Sequence, residues 1–313
     1  MKDKHPLPPG IQAIYSEMAS RHFRSLEEVN AFLRRRMDEY NAAPQAELGG
    51  LSPVQMYDLL SGDWRGSGPL RLAVLPPDVV AGSAVVGAAR LLLQAAGVKG
   101  GLQATATGNL SRAVVREMLD RMAWPEYDRD EFRFAGKVLN ETDVWALHIV
   151  RLVLGMARLL RRRSGRFHTT QLGRTLSVEA AAGLLQVDLF RTLFRRLNLV
   201  YLAPVGPEPT DPLQSRAALL FLRLAAADDA WRSADQWEAV LAPDGPPVRE
   251  VHGIRLSFFG SRWLRPLEWF GVLEGRDVPG RYPNVPGREY RRTPLAVAFL
   301  PFPPELLQAV RRA

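Results

Sequence analysis

Apolar residues recur every three or four positions through most of the chain, which is the spacing of helices that bury one face. Near the N-terminus this spacing predicts a helix that begins after Ser25, because Ser25 and Glu28 form a capping-box sequence. A shorter helix is predicted to start at Ser52 and Pro53, with serine as the cap and proline in the first turn. Together the two helices predict a small helical unit over residues 1–70.

The rest of the chain repeats one pattern three times. An apolar helix is followed by a Gly- or Arg-rich turn, then by an extended stretch that ends near a Thr, and then by another helix. The three copies lie at 91–108, 159–173 and 269–300. Gly-rich turns between short extended stretches suit β-hairpins, and the Thr hydroxyl can cap the helix that follows. A Gly or Ala three positions after the Thr would let that helix pack closely.

Further helices are predicted before the hairpins. The third copy is preceded by helices near 213–227, 233–241 and 256–270, and the second copy by one long helix at 143–161. A proline-rich stretch at 203–209 has the composition of a linker. The predicted fold class is therefore mostly α with short β-hairpins. Its predicted parts are the helical unit 1–70, two degenerate hairpin-bearing units within 71–203, and a complete C-terminal domain at 210–313.

Three helices followed by a hairpin resembles the winged helix-turn-helix domain. In the second copy, Leu159-Leu160 leads into a basic turn, and the return strand ends at Thr170-Gln171-Leu172-Gly173. The chain as a whole resembles uncharacterised bacterial proteins with winged-helix repeats, a family without an established activity to carry over. The resemblance implies tandem winged-helix-like units. In each, the third helix would hold the position that reads a DNA groove, and the hairpin would be a wing that touches phosphates.

Positive charge is concentrated in one part of the chain. The whole sequence has 41 Lys and Arg against 33 Asp and Glu, which gives a formal net charge of +8. Residues 151–178 contain seven Arg and no acidic residue, so almost all of the excess lies there. A local cationic surface favours a polyanion, because each neutralised phosphate releases condensed counterions. The alternative is a solvated helix end, where cations interact favourably with the helix dipole.

The candidate nucleic-acid contacts are arginines in three places. The basic turn of the second copy would bring guanidinium groups to a wing tip, where they can form planar bidentate hydrogen bonds with phosphate. The segment 275–292 is interpreted as a long loop that either contacts nucleic acid or packs on its own domain. Two arginines of the third helix either read a groove or line an interface. The candidates are Arg158, Arg161, Arg162, Arg163, Arg166, Arg262, Arg265, Arg281, Arg288, Arg291 and Arg292.

Several classes of site have no support in the sequence. The absence of Cys excludes disulfides, thiolate zinc sites and thiol catalysis. The five His have no metal-binding spacing, and neither a phosphate-binding loop nor a Gly-x-Ser-x-Gly motif is found. We therefore expect no catalytic residue, no metal and no cofactor. We also expect a cytoplasmic protein without a membrane span, because no signal peptide or long apolar run is visible.

These observations predict a non-enzymatic DNA-binding protein that contacts phosphates through Arg-rich wing turns, with double-stranded DNA as the expected partner. The alternative is a protein–protein interaction scaffold built of degenerate winged-helix units. The scaffold hypothesis predicts that Arg161–Arg163 are salt-bridged to acidic residues elsewhere in the fold, with the third helix buried against another domain.

Overall fold

The structure confirms the predicted fold class: helices predominate and the strands form small antiparallel sheets. It is a computed structural model that describes residues 7–66, 68–125, 139–203, 210–243, 245, 249–251, 254–256, 258–282 and 285–312. The chain forms two compact units, one of residues 1–70 with 302–313 and one of residues 71–301. Residues 302–313 thus belong with the N-terminal unit, not with the C-terminal domain to which the sequence assigned them. The predicted linker at 204–209 lies outside the described residues.

The first unit contains the two capped helices expected from the sequence. The Ser25 side chain accepts a hydrogen bond from the Glu28 amide, as predicted. The Glu28 carboxylate accepts from the Arg24 amide and not from the Ser25 amide, so the capping box is half formed. The second cap is complete, because Ser52 and Gln55 each bond the other's backbone amide. The helices are α1 (Pro9–Ser20), α2 (Leu26–Ala42), α3 (Pro53–Ser61) and, from the C-terminus, α14 (Pro304–Arg312).

In the second unit, the first two copies of the sequence pattern belong to one sheet. Strand β1 pairs with β3, and β3 pairs with β2, so the strand order is β1-β3-β2. The prediction of two separate units within 71–203 is therefore wrong. The first copy supplies an edge strand whose partner lies more than sixty residues later, and local spacing cannot reveal such a pairing. The elements are α4 (Pro77–Val80), α5 (Ala84–Gly97), β1 (Leu102–Gln103), α6 (Arg112–Arg121), α7 (Trp145–Met156), β2 (Leu160–Arg163) and β3 (Arg166–Thr169).

Two helices follow this first helix-and-sheet module, and the same order of elements then recurs. The second module has the strand order β4-β8-β7, which is the same arrangement. The segment predicted as a long loop at 275–292 instead lies in the hairpin β7–β8, with a bulge between Val278 and Tyr282. The elements are α8 (Gln171–Ser177), α9 (Ala182–Arg195), α10 (Ala217–Ala226), β4 (Arg232–Ser233), α11 (Ala234–Leu241), β5 (Arg249–Val251), β6 (Ile254–Leu256), a π-helical turn (Gly260–Leu264), α12 (Arg265–Trp269), β7 (Leu273–Tyr282), β8 (Val285–Arg292) and α13 (Pro294–Phe299).

Matching hydrogen bonds show which residues of the two modules are equivalent. The amide of Thr170 donates to the Leu159 carbonyl at 3.0 Å, and the amide of Thr293 donates to the Val272 carbonyl at 3.1 Å. The Thr170 hydroxyl donates to the Arg158 carbonyl, and the Thr293 hydroxyl donates to that of Gly271. Arg158 and Gly271 therefore occupy the same position, one at the start of each hairpin.

Thr170 also caps α8, and Gly173 allows this helix to approach the hairpin closely. The Gly173 amide donates to the Thr170 hydroxyl at 3.0 Å. A Cβ at Gly173 would overlap the carbonyl oxygen of Leu159 and lie 2.8 Å from a methyl carbon of Thr169. This is the close packing that the Thr-x-x-Gly spacing predicts.

Replacement of Gly173 with Ala is expected to lower the free energy of unfolding by about 2 kcal/mol or more, because the backbone of Leu159 cannot move aside. Gly155→Ala is the matched control, since Gly155 is also helical and a Cβ there meets nothing within 4 Å. The control should leave stability unchanged or raise it slightly. Urea unfolding of both variants measures the difference, and equal midpoints would contradict the packing account.

Candidate nucleic-acid interface

The first sheet turns an apolar face to the core and a basic face outward. Leu102, Leu160 and Phe167 point inward and are buried. In the pairing register, Arg161 is opposite His168, and Arg166 is opposite both Arg163 and Gln103. Because paired residues of neighbouring strands share a face, these side chains lie together on the other side. We call this set the cationic face: Gln103, Arg161, Arg163, Arg166 and His168.

No acidic side chain neutralises the cationic face within the described part of the chain. Arg161 and Arg163 are exposed and make neither an ion pair nor a hydrogen bond with any described residue. Arg166 donates to the Gly100 and Gly101 carbonyls at 3.0 and 3.2 Å. Carbonyl oxygens hold this guanidinium in place without cancelling its charge.

Two further basic residues border the cationic face. Arg162 points to the inner side of the sheet but remains exposed, and it donates to the Thr105 and Ala106 carbonyls at 3.1 and 3.3 Å. Arg158 is exposed and precedes β2 by two positions. The structure therefore brings together all five of the arginines that the sequence placed in and beside the basic turn.

A tight turn presents these residues on a rigid hairpin. The two turn residues, Ser164 and Gly165, both have positive φ, of 48° and 70°. A two-residue hairpin turn that matches the twist of its strands needs this backbone conformation at both positions. The basic segment is therefore ordered strand on either side of the turn.

The equivalent face of the second module is neutral. Glu274 pairs with Arg291, and Arg276 pairs with Glu289 at 2.7 Å. The two guanidinium groups lie over the ring of Trp231, at 4.8 and 4.3 Å from its centroid. In register these four residues occupy the positions that carry Arg161, His168, Arg163 and Arg166 in the first module.

The other arginines predicted in the third hairpin are also paired. Arg288 binds Glu268 and, at 2.6 Å, Asp277. Partial burial lowers the pKa of the Arg288 guanidinium, but the ion pairs outweigh this effect and hold the pKa above its ordinary value. Arg292 pairs with Asp229 at 2.8 Å. The predicted phosphate contacts at Arg288, Arg291 and Arg292 are therefore occupied by internal acids, and the Arg281 side chain lies outside the described part.

The helix in the third position of the second module is buried. Arg262 is only 5% exposed, and it donates to the Ala203 carbonyl at 3.0 Å and lies 3.6 Å from the Asp211 carboxylate. Burial raises the pKa of Asp211, against the effects of the Leu213 amide and Arg262. Arg265 is half-buried. The prediction that this helix offers Arg262 to a groove is therefore wrong, because its guanidinium is enclosed by the domain itself.

In the first module, the equivalent helix α7 is also mostly buried. Its two ionisable residues, His148 and Arg151, belong to a buried network of polar side chains. Glu141 is fully buried and accepts hydrogen bonds from His148 Nδ1 and Arg151 Nε, both at 2.6 Å, and from the Leu110 amide. The other ring nitrogen of His148 bonds the Tyr201 hydroxyl at 2.7 Å. His148 is thus a core histidine, and nothing in the spacing of Glu141 indicated its role.

Glu141→Gln should destabilise the fold by about 3–5 kcal/mol, because the amide leaves the nearly buried Arg151 cation without its compensating charge. The matched control is Glu117→Gln, which removes an exposed i,i+4 pair with Arg121 and should change stability by less than about 0.5 kcal/mol. Thermal and urea unfolding report both effects. A small loss at Glu141 would show that the network does not contribute to stability.

Sequence reasoning missed Gln103 and His168 as members of the cationic face. Alternation along β3 puts His168 and Thr169 on different faces of the sheet, but the members of the cationic face are set by pairing across three strands. Within the described residues, no group of three His, Asp or Glu is placed to hold a metal ion. None of the helices in the described ranges combines the length and apolar character needed to cross a bilayer.

A family model matches the first module. Residues 81–182 match the family model described as the Y4jL N-terminal domain. The chain is 35% identical over 118 residues to the uncharacterized protein y4jL of Sinorhizobium fredii (strain NBRC 101917 / NGR234), over 36% of this chain and 54% of that protein. The chain therefore spans about half the length of this curated relative. No solved structure matches the chain. The matched residues run from just before α5 to the start of α9, and so contain the whole cationic face.

Proposed function

We propose that this chain is a non-enzymatic DNA-binding protein built from two winged-helix units, and that the cationic face binds the phosphate backbone. One observation carries the proposal: two equivalent sheet faces differ in charge. The face of the first module has three exposed Arg and a His without an acidic partner among the described residues. The face of the second module pairs each of its two Arg with a Glu.

The order of elements supports the winged-helix part of the proposal. In each module a helix precedes a short strand, two further helices follow, and a hairpin completes a three-stranded sheet. This is the order expected from the sequence resemblance, with the hairpin as the wing. The first module needs the segments of two sequence copies to complete it.

Backbone binding without base reading fits the exposed chemistry. The helices in the reading position are buried, so they cannot place side chains against base edges in a major groove. The cationic face carries no Phe, Tyr or Trp ring as a platform for unpaired bases. Arg161 and Arg163 are two strand residues apart, about 6.6 Å, which is close to the separation of successive phosphates. Duplex DNA of any sequence is therefore the proposed partner.

The double variant Arg161→Ala/Arg163→Ala should bind a short duplex more weakly and with less dependence on salt. Each lost phosphate contact reduces the slope of log K against log[salt] by about 0.9, so the expected reduction is about 1.8. Fluorescence anisotropy across a salt series measures both quantities.

The matched control is Arg276→Ala/Arg291→Ala, which removes the same formal charge from the equivalent sheet face of the second module. It should leave the affinity and the salt slope near those of the unchanged protein. Equal losses in the two variants would show that only net charge matters, and no binding by the unchanged protein at low salt would refute the proposal.

A scaffold role is the second candidate, and the burial of both reading helices favours it. Winged-helix units with covered helices can serve as rigid supports for other proteins. This candidate predicted that Arg161–Arg163 are salt-bridged to acids, yet Arg161 and Arg163 have no such partner among the described residues. A scaffold would show no duplex binding at any salt concentration, which the same anisotropy series detects.

A further inference from the structure

Arg158 has a backbone conformation that L-amino acids rarely adopt. Its φ is 62°, in the left-handed region, where the side chain crowds the following carbonyl. The equivalent residue of the second module is Gly271, with φ of 74°. Glycine has no such cost, so the second module has the residue that the backbone favours and the first module does not.

The left-handed conformation of Arg158 ends helix α7. The Arg158 amide donates to the Gly155 carbonyl and the Leu159 amide donates to the Leu154 carbonyl, a pair of hydrogen bonds that closes helices at a residue that is most often glycine. These bonds fix the backbone of Arg158. Its side chain, by contrast, is exposed and makes neither an ion pair nor a hydrogen bond with any described residue. Folding stability alone would therefore favour glycine at this position.

The position of Arg158 suggests what the side chain is for. Strand β2 is an edge strand, and Arg158 precedes it, so Arg158, Arg161 and Arg163 follow one another along the edge of the sheet. Arg161 and Arg163 lie in strand β2, and Arg158 lies two positions before its start, at the left-handed turn. Three separate cations in a row suit the spaced phosphates of a polymer better than the clustered charge of one nucleotide.

We infer that Arg158 is retained in a strained conformation as the outermost contact of a site for an extended polyanion, at the expense of fold stability. The inference rests on the proposed function and specifies its substrate class as a phosphate polymer. An arginine at a helix end that favours glycine costs stability, and such a cost without a compensating side-chain contact in the described fold is a feature of binding sites. The same residue is then expected to lower stability and to raise affinity.

Two variants separate these effects. Arg158→Gly should raise the folding equilibrium constant roughly three- to fivefold, after the greater freedom of unfolded glycine is allowed for. It should also reduce the salt slope of duplex binding by about 0.9. Arg158→Ala keeps the strain but removes the charge, so binding should weaken by the same amount without a gain in stability. ATP, as a single-nucleotide probe, should bind all three proteins equally weakly.

The reciprocal variant Gly271→Arg is the control for strain. A Cβ at Gly271 meets only a Leu295 methyl carbon at 3.9 Å, so the backbone conformation is the main obstacle to a side chain there. It should lower stability without improving duplex binding.

If Arg158→Gly is no more stable than the unchanged protein, or binds duplex equally well, the inference fails. Losses that are confined to Arg161→Ala/Arg163→Ala would overturn the role of Arg158 but leave the proposed function intact. If neither substitution weakens binding, the proposed function itself fails.

Discussion

The burial of helix α9 is the constraint on which the second unit depends. Ten of its fourteen residues are buried, as expected of a helix in the middle of a domain. Phe190 contacts the rings of Phe194, Phe221, Phe270 and Phe299, at centroid distances of 4.6 to 5.1 Å. These rings come from α9 itself, from α10, from the end of α12 and from α13. On its other sides α9 packs against α5, α7 and α8 of the first module. One helix therefore holds both modules in a single core.

This arrangement explains why the helix before each hairpin is buried. Each is part of the shared core, so its polar residues must be satisfied inside the protein. Arg262 is held by Ala203 and Asp211, and His148 by Glu141 and Tyr201. The sheets lie at the outside of the modules and keep one face toward solvent. Side-chain identity on those faces, more than the shared topology, then decides what each module can bind.

The sequence predicted what is encoded locally. Helical spacing, the cap at Ser52 and the Thr170-x-x-Gly173 signal each depend on residues within a few positions of one another, and the structure contains all of them. The charge run also located the five arginines of the basic hairpin. The rest depends on distant pairs. The pairing of Leu102 with Phe167 in the sheet is set by the fold. So is the ion pair of Arg292 with Asp229, and for this reason composition could not distinguish an unpaired arginine from a neutralised one.

The two-residue turn at Ser164 and Gly165 has a consequence for the thermodynamics of association. A flexible basic loop loses conformational entropy when it orders on a ligand, whereas this hairpin is already ordered by its strand hydrogen bonds. Arg162 and Arg166 are further restrained by carbonyl groups. Only the free guanidinium arms then lose rotamer freedom, at about 0.5–1.5 kcal/mol for each immobilised side chain. If the proposed function holds, this preorganisation lets a small surface retain most of the favourable free energy of each phosphate contact.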